Sequence, residues 1–301
     1  MPAFDPASPY GINTHLPPPA HLDRVAAAGI AWIRVDFNMD QIQPAPGQYN
    51  WARTDQVVQD ARARGLHLYP TLAYAPPWAN GGGGRNVPPN PTDWYGFVAT
   101  VVLRYRDRIQ HWGMWNEPNL KGFWSGSMAQ YINSVLEPGA HAVREYAPQG
   151  LVCGPDLAME RDWASWLRTI LHRGGRLLDV VTQHSYQESG REVLRRMGGS
   201  GWRWPWQDPT VREIMTETGT ADKPLWLTET GWNTADISED QQASYIDQVL
   251  EGFQSYGIAK VFVYQLADEA HPEWHGVLHQ DLTPKPAYLV YQRRTAAPAI
   301  V

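Results

Sequence analysis

With 301 residues, 43% of them apolar and only 19% charged, the chain can bury a large core and lacks the composition of a disordered one. Its net charge of −6 and the absence of a Lys/Arg run argue against nucleic acid or an anionic membrane surface as the main partner. No apolar stretch reaches the ~18 residues of a membrane span, so no membrane partner is expected.

Short apolar runs alternate with amphipathic stretches from end to end, the pattern of a parallel sheet wrapped by helices. "PYGINTH" predicts the first strand, and Leu22, Val25 and Ala26 share one face of a helix that stops at Gly29. "AWIRVDF" predicts the second, followed by a helix through Val57, Val58 and Ala61 that stops at Gly65. "LHLYPTLAY" is the third, and Trp94, Phe97, Val98, Val101, Val102 and Tyr105 then recur at helical spacing. "IQHWGMWN" is the fourth; its helix runs from about Met128 to Tyr146, with Pro138 expected to kink or split it. "LVCGPDLA" is the fifth, with Trp163, Trp166, Leu167, Ile170 and Leu171 on the helix behind it. "LLDVVTQHSY" and "PLWLTET" are the sixth and seventh, the latter backed by Tyr245, Ile246, Val249, Leu250 and Phe253. "AKVFVYQLA" is the eighth, closed by a helix in "KPAYLVYQRR". Eight strand–helix units without a linker predict an α/β fold, a (β/α)8 TIM barrel spanning residues 1–301 as a single domain.

The tetrapeptide TETG occurs twice, carrying Glu217 and Glu229. Around Glu217, Val211, Ile214, Met215 and Thr218 keep helical spacing; Asp208 can cap that helix, Pro209 suits its first position and Gly219 can end it. Glu217 is therefore read as a solvated helical residue. Glu229 instead follows the buried run "LWL" at the carboxyl end of the seventh strand, where barrel enzymes place their chemistry.

A nucleophilic Glu229 needs a second carboxyl group to protonate the leaving oxygen. Glu117 in "HWGMWNEPN", at the end of the fourth strand, supplies it. Two such groups about 5–5.5 Å apart give a retaining double displacement, with Glu117 acting first as acid and then as base. Asn116 is placed to hydrogen-bond the sugar 2-hydroxyl, a contact that tightens as positive charge develops.

"WNEPN", "TETGW", "HSY" after the sixth strand and "IRVDF" on the second resemble the retaining glycoside hydrolases of clan A. Within that clan the chain is most similar to family 39 and related bacterial exopolysaccharide-degrading endoglycosidases, in the right order along its whole length, including "WHGVLHQDLTPKPAY" near the end. The resemblance implies that Glu117 is the acid/base and Glu229 the nucleophile, that Arg34 supports the nucleophile, and that His184 and Tyr186 hydrogen-bond the two carboxylates. The Arg34 cation would keep Glu229 ionised while Glu117 holds its proton. Many clan members also carry a Trp on strand eight under the bound sugar. This strand ends "VYQLAD", with Gln265 nearby, and Trp274 in the next loop is the candidate replacement. Family 39 xylosidases carry an accessory β-domain that 301 residues cannot hold, which favours an endo-acting barrel.

Fifteen Trp and fourteen Tyr suit stacking on sugar rings as well as core packing. Trp78, Trp115, Trp124 and Trp232 follow strand ends and are expected to line the cleft, with His15 at the end of strand one divided between a sugar contact and packing. Trp202, Trp204 and Trp206 alternate in "GGSGWRWPWQ", as either a packed β-edge or an aromatic wall. The ten His form no HExxH or HxH motif, no GxSxG elbow exists, and "NGGGGRNV" lacks a P-loop Lys-Ser/Thr and reads as a mobile loop. No metal and no cofactor are implied.

The expected partner is a carbohydrate substrate, and the chain is expected to be a monomer. Transglycosylation on the same site and a non-catalytic carbohydrate-binding barrel are the alternatives. Cys153, alone in an apolar run, is expected as a buried thiol and leaves the compartment open. A secreted or periplasmic location is expected if a signal peptide has been removed, and a cytoplasmic one otherwise.

Overall fold

Eight parallel strands close into a barrel in chain order in the computed structural model, which describes residues 3–199, 209–270 and 272–296. The strands are β1 (Tyr10–Asn13), β2 (Trp32–Asn38), β3 (His67–Ala73), β4 (His111–Met114), β5 (Leu151–Ala158), β6 (Val180–His184), β7 (Leu225–Thr230) and β8 (Ile258–Val263). Helix α1 (Pro19–Ala27) joins β1 to β2, α2 (Met39–Ile42) and α3 (Ala52–Ala63) follow β2, and α4 (Pro91–Tyr105) follows β3. Next come α5 (Met128–Tyr131) and α6 (Glu137–Tyr146) after β4, α7 (Trp163–Gly174) after β5, and α8 (Gly190–Gly198) and α9 (Val211–Glu217) after β6. Helices α10 (Glu239–Gly252) and α11 (Pro286–Ala296) complete the ring after β7 and β8. None of the described helices is long and apolar enough to cross a membrane.

The helices form for local reasons. Asn90 caps α4 by accepting from the backbone N–H of Thr92 and Asp93, with Pro91 at the first position. The face of α4 that carries Trp94, Phe97, Val98, Val101, Val102 and Tyr105 is fully buried, each large side chain contributing about 1.5–3 kcal/mol. The helix expected over 128–146 is divided: a π-helical turn, Ile132–Leu136, separates α5 from α6 just ahead of Pro138. The wide turn accommodates a residue with no N–H to give and a ring that would strike the preceding turn. Helix α9 begins at Val211 under a reciprocal capping box between Thr210 and Glu213, so Thr210 is its N-cap. Asp208, expected in that role, lies outside the described residues, as do Trp202, Trp204 and Trp206.

Inside the barrel, Trp32 (β2), Tyr69 (β3), Trp226 (β7) and Phe262 (β8) form a buried aromatic cluster with Cys153 and Val180. Gly113 on β4 makes room for it, since a Cβ there would meet the Tyr69 hydroxyl at 2.8 Å. Lys260 sits 4.5 Å over the Trp32 ring and donates to the carbonyls of Pro6 and Ser8. This layer fills the barrel below the residues that carry polar groups and leaves their chemistry at the carboxyl ends of the strands. The register then pairs Asn13 with Arg34 across β1 and β2, and His184 with Glu229 across β6 and β7.

Candidate active site

Glu229 lies on β7 and Glu117 three residues beyond the end of β4, both buried except for a small exposed edge. Glu117 has a left-handed backbone (φ +45°), held by its N–H donating to the Asp156 carbonyl at 3.0 Å. Such a conformation is costly for a side chain with a Cβ and is kept where the surroundings enforce it. Oxygen atoms of Glu117 and Glu229 and a ring nitrogen of His184 all lie within 4.8 Å of one another. With oxygens this near, the two carboxyl groups can face each other across one glycosidic bond, the arrangement of a retaining pair.

Arg34 organises the Glu229 side. Its Nη1 donates to Glu229 Oε1 and to Asn13 Oδ1 (3.1 Å), and its Nη2 donates to Asn116 Oδ1 (2.9 Å). The Tyr186 hydroxyl donates to the other Glu229 oxygen at 2.8 Å. Tyr186 remains 39% exposed while its hydroxyl turns inward to the carboxylate. Burial of that hydroxyl and the Glu229 charge raise it well above its ordinary value, and it stays a neutral donor.

His184 stands between the two carboxyl groups. Its Nδ1 is 2.9 Å from Glu117 Oε1 and 3.4 Å from Glu229 Oε2, and its Nε2 faces Asp156 Oδ1 at 3.5 Å. Burial alone would lower its pKa, but the charge of Glu229 and the contacts with Asp156 and Glu117 outweigh burial and raise it to about 9. Burial also lifts Glu117 above the usual carboxylate range; His184 opposes that rise and the Glu229 charge reinforces it. The cluster sets the Arg34 guanidinium and the His184 ring against the carboxyl groups of Asp156, Glu229 and Glu117. Each buried cation thus has a carboxyl group beside it, as a buried charge requires. Glu117, His184 and Glu229 have the spacing of a metal site. The His184 proton and the hold of Arg34 on Glu229 fill the positions a cation would take.

Asp156 escaped sequence analysis. It is fully buried on β5 and gathers four strands: the Tyr69 hydroxyl donates to it at 2.7 Å, Thr228 donates to its other oxygen, and Arg34 lies 3.7 Å away beside His184. Burial works against its ionisation, yet Arg34, His184 and Thr228 hold it well below the usual carboxylate range. The signal was a lone Asp in "LVCGPDLA", where both faces of a parallel strand are buried and alternation is silent. Asn13 and Tyr74 were also missed; the latter accepts from Asn116 Nδ2 at 3.4 Å.

Several expected cleft aromatics belong to the core. Trp115 (φ +77°) and Trp124 are wholly buried, stack edge-on at 5.0 Å, and donate to the carbonyls of Phe123 and Ser127. Trp232 is 8% exposed, packs on Tyr245 and donates to the Gln187 carbonyl at 2.7 Å. These three are corrected to packing residues, because no ring face is left for a sugar. Trp78 is half-buried and donates to the Gln43 carbonyl. Gln265 is buried, and its neighbour Tyr264 supplies the ring at the end of β8, edge-on to His15 (5.7 Å), Tyr186 (6.5 Å) and His275 (5.7 Å). His15 is held by Asp36 at 2.7 Å with 40% of its side chain exposed, so it reaches the cleft. Trp274 is 36% exposed but lines a neighbouring depression rather than the floor beneath the carboxylates. The glycine-rich loop expected to be mobile is tied down. Asn80 donates to the carbonyls of Ala75 and Gly84, and Arg85 lies 4.1 Å over the Tyr74 ring. Glu217 is on the exposed face of α9, paired with Arg168 at 2.9 Å.

A sequence profile for glycosyl hydrolases family 39 matches residues 88–292. A β-xylosidase of Geobacillus stearothermophilus is 25% identical over 156 residues, which cover 46% of this chain and 31% of that protein. A GH39 β-xylosidase from Caulobacter crescentus superposes with a TM-score of 0.78 at 20% identity, over 99% of this chain and 73% of that one. A family 39 glycoside hydrolase from the gut symbiont Bacteroides cellulosilyticus WH2 superposes with a TM-score of 0.77 at 22% identity, over 95% of this chain and 63% of that one. At these identities the superpositions show a shared fold. The match spans about a third of the length of the Geobacillus enzyme.

Proposed function

The chain belongs to glycosyl hydrolases family 39, and we propose that it is a retaining β-glycoside hydrolase that cleaves a polysaccharide or oligosaccharide internally by double displacement. The observation that carries this reading is the placement of Glu117 and Glu229 on either side of His184, within 4.8 Å of one another.

In the first step a Glu229 oxygen attacks the anomeric carbon while Glu117 gives its proton to the departing oxygen. Glu229 becomes a neutral ester and Glu117 an anion, so one negative charge moves from β7 to the end of β4. His184 already spans both positions and can transfer its stronger hydrogen bond from one to the other, which keeps the reorganisation small. In the second step Glu117 takes a proton from water, which attacks the same carbon and releases Glu229. Asn116 uses its carbonyl on Arg34 and one amide hydrogen on Tyr74, leaving a second amide hydrogen for the sugar 2-hydroxyl. Internal cleavage is supported by open depressions on two flanks of the pair. One involves Asn119, Lys121, Glu160 and Asp162 in the loops after β4 and β5; the other lies in the loops after β7 and β8. A substrate chain can continue past the cleaved bond in both directions.

The test is chemical rescue of Glu117→Ala. An aryl β-glycoside with a good leaving group no longer needs the acid, so the first step survives while the second lacks its base. Azide, which attacks without base help, should restore turnover and give a β-glycosyl azide. A folded variant without rescue on a substrate the wild type cleaves refutes the acid/base role, and an α-azide product means inversion.

A further inference from the structure

Asp156 exchanges no proton and forms no bond in the double displacement, yet it touches both sides of it. Its backbone carbonyl accepts the Glu117 N–H at 3.0 Å and so holds the left-handed turn that presents Glu117. Its side chain, wholly buried, faces His184 Nε2 at 3.5 Å and Arg34 Nη2 at 3.7 Å, the two groups whose nitrogens also contact Glu229. The residue is itself fixed. Its N–H donates to Thr182 Oγ1 at 3.0 Å, and the hydroxyls of Tyr69 and Thr228 donate to its two carboxylate oxygens.

An ionised carboxylate only accepts, so the His184 nitrogen that faces Asp156 is one that carries a hydrogen. Burial lowers the pKa of the ring, but Glu229, Asp156 and Glu117 raise it to about 9, so at neutral pH Nδ1 keeps its hydrogen as well. Nδ1 lies 2.9 Å from Glu117 Oε1 and 3.4 Å from Glu229 Oε2 and can donate to either. A carboxylate behind a histidine ring sets its protonation and orientation in the same way in nucleophile–histidine–carboxylate triads. Beyond Arg34, Tyr69 and the two glutamates, the titratable groups near Asp156 are Tyr131 on α5 and Cys153 on β5. Both are pushed well above their ordinary values, by burial first and the Asp156 charge second, and stay neutral. Tyr186 joins the cluster through its bond to Glu229.

We propose that Asp156 is a positioning residue for the reaction: it holds the His184 ring so that Nδ1 serves Glu117 and Glu229 in turn, and it steadies Arg34 beside Glu229. The proposal rests on the glycosidase reading.

Asp156→Asn keeps the shape but can donate as well as accept, so it no longer holds a proton on Nε2. On a nitrophenyl β-glycoside that the wild type cleaves, kcat should fall by about a hundredfold, with KM little changed. The alkaline fall of kcat, near pH 9 in the wild type, should move to lower pH. In a His184→Gln background the same substitution should cost much less, because the ring it acts through is gone. A folded variant with unchanged kcat and an unchanged alkaline limb overturns the proposal, as does an equal loss in both backgrounds. The nitrogen NMR signals of the His184 ring, identified by their absence in His184→Gln, give a readout that needs no turnover. Both ring nitrogens should carry hydrogen at neutral pH in the wild type, and the ring should lose one at lower pH in Asp156→Asn. A singly protonated ring in the wild type overturns the proposal, and a doubly protonated one supports it should the variant fail to fold. If the wild type cleaves no aryl β-glycoside, the hydrolase reading is what fails. The ring signals of the two proteins then decide whether Asp156 holds His184: a shift toward lower pH supports it, and identical titrations overturn it.

Discussion

Replacing Asp156 by Asn removes one charge from the buried cluster and keeps the shape. Two arguments give the size of the effect. The pKa of His184 rises from 6.5 to about 9 on folding, which ties about 3 kcal/mol of stability to its proton. Because the folded value is the higher one, that stability is complete below pH 6.5 and disappears as pH rises through about 9. Asp156 faces His184 Nε2 at 3.5 Å and Arg34 at 3.7 Å, so the substitution takes a buried carboxylate away from both cations. Breaking a buried pair in this way costs about 3–5 kcal/mol unless the orphaned group changes protonation. At pH 7 the variant should lose roughly 3 kcal/mol in denaturant unfolding. For a chain of 301 residues that is a fall of roughly 5 °C in Tm. Its loss of stability toward alkaline pH should begin well below that of the wild type, because His184 surrenders its proton earlier. A variant within about 1 kcal/mol of the wild type at pH 7, with the same pH dependence up to pH 9, would refute the charge-paired arrangement of Asp156 and His184.

The two copies of TETG separate under substitution. Glu229→Gln should abolish turnover, while Glu217→Gln, on an exposed helix face with one surface partner, should leave both turnover and stability nearly unchanged. Equal losses in two folded variants would mean that the choice between the copies is wrong. Thr210→Ala should lower stability by about 1 kcal/mol through loss of the α9 cap and leave kcat unaffected. A thermal shift too small to measure would show that tertiary packing of Val211, Ile214 and Met215 alone holds that helix.

The alternation of apolar runs and helical periods made the barrel legible, since eight strands buried on both faces have few other ways to close. Glu117 and Glu229 were legible because each stands where a buried run ends. What sequence does not carry is the direction of a side chain after a strand end. Trp115 and Trp124 follow β4 as a cleft residue would, yet the left-handed backbone at Trp115 and the loop through Phe123 send both rings into the core. Asp156 was hidden for a related reason. The β5–β6 register shifts between Pro155 and Leu157, and Asp156 sits at that irregularity with φ +50°, its carboxylate buried among groups from β2, β3, β6 and β7. The place of Trp274 beside the centre, with Tyr264 nearer to it, depends on loop paths that residue spacing does not encode.

The assignment of Glu229 as the nucleophile is tested most directly by trapping the glycosyl-enzyme. Glu117→Ala, given a dinitrophenyl β-glycoside of a sugar the wild type cleaves, should gain the mass of one sugar unit, and peptide mapping should place it on Glu229 in "LWLTETGW". A sugar mapped to any other residue, or a folded variant that releases the phenol in a stoichiometric burst without gaining mass, would contradict it.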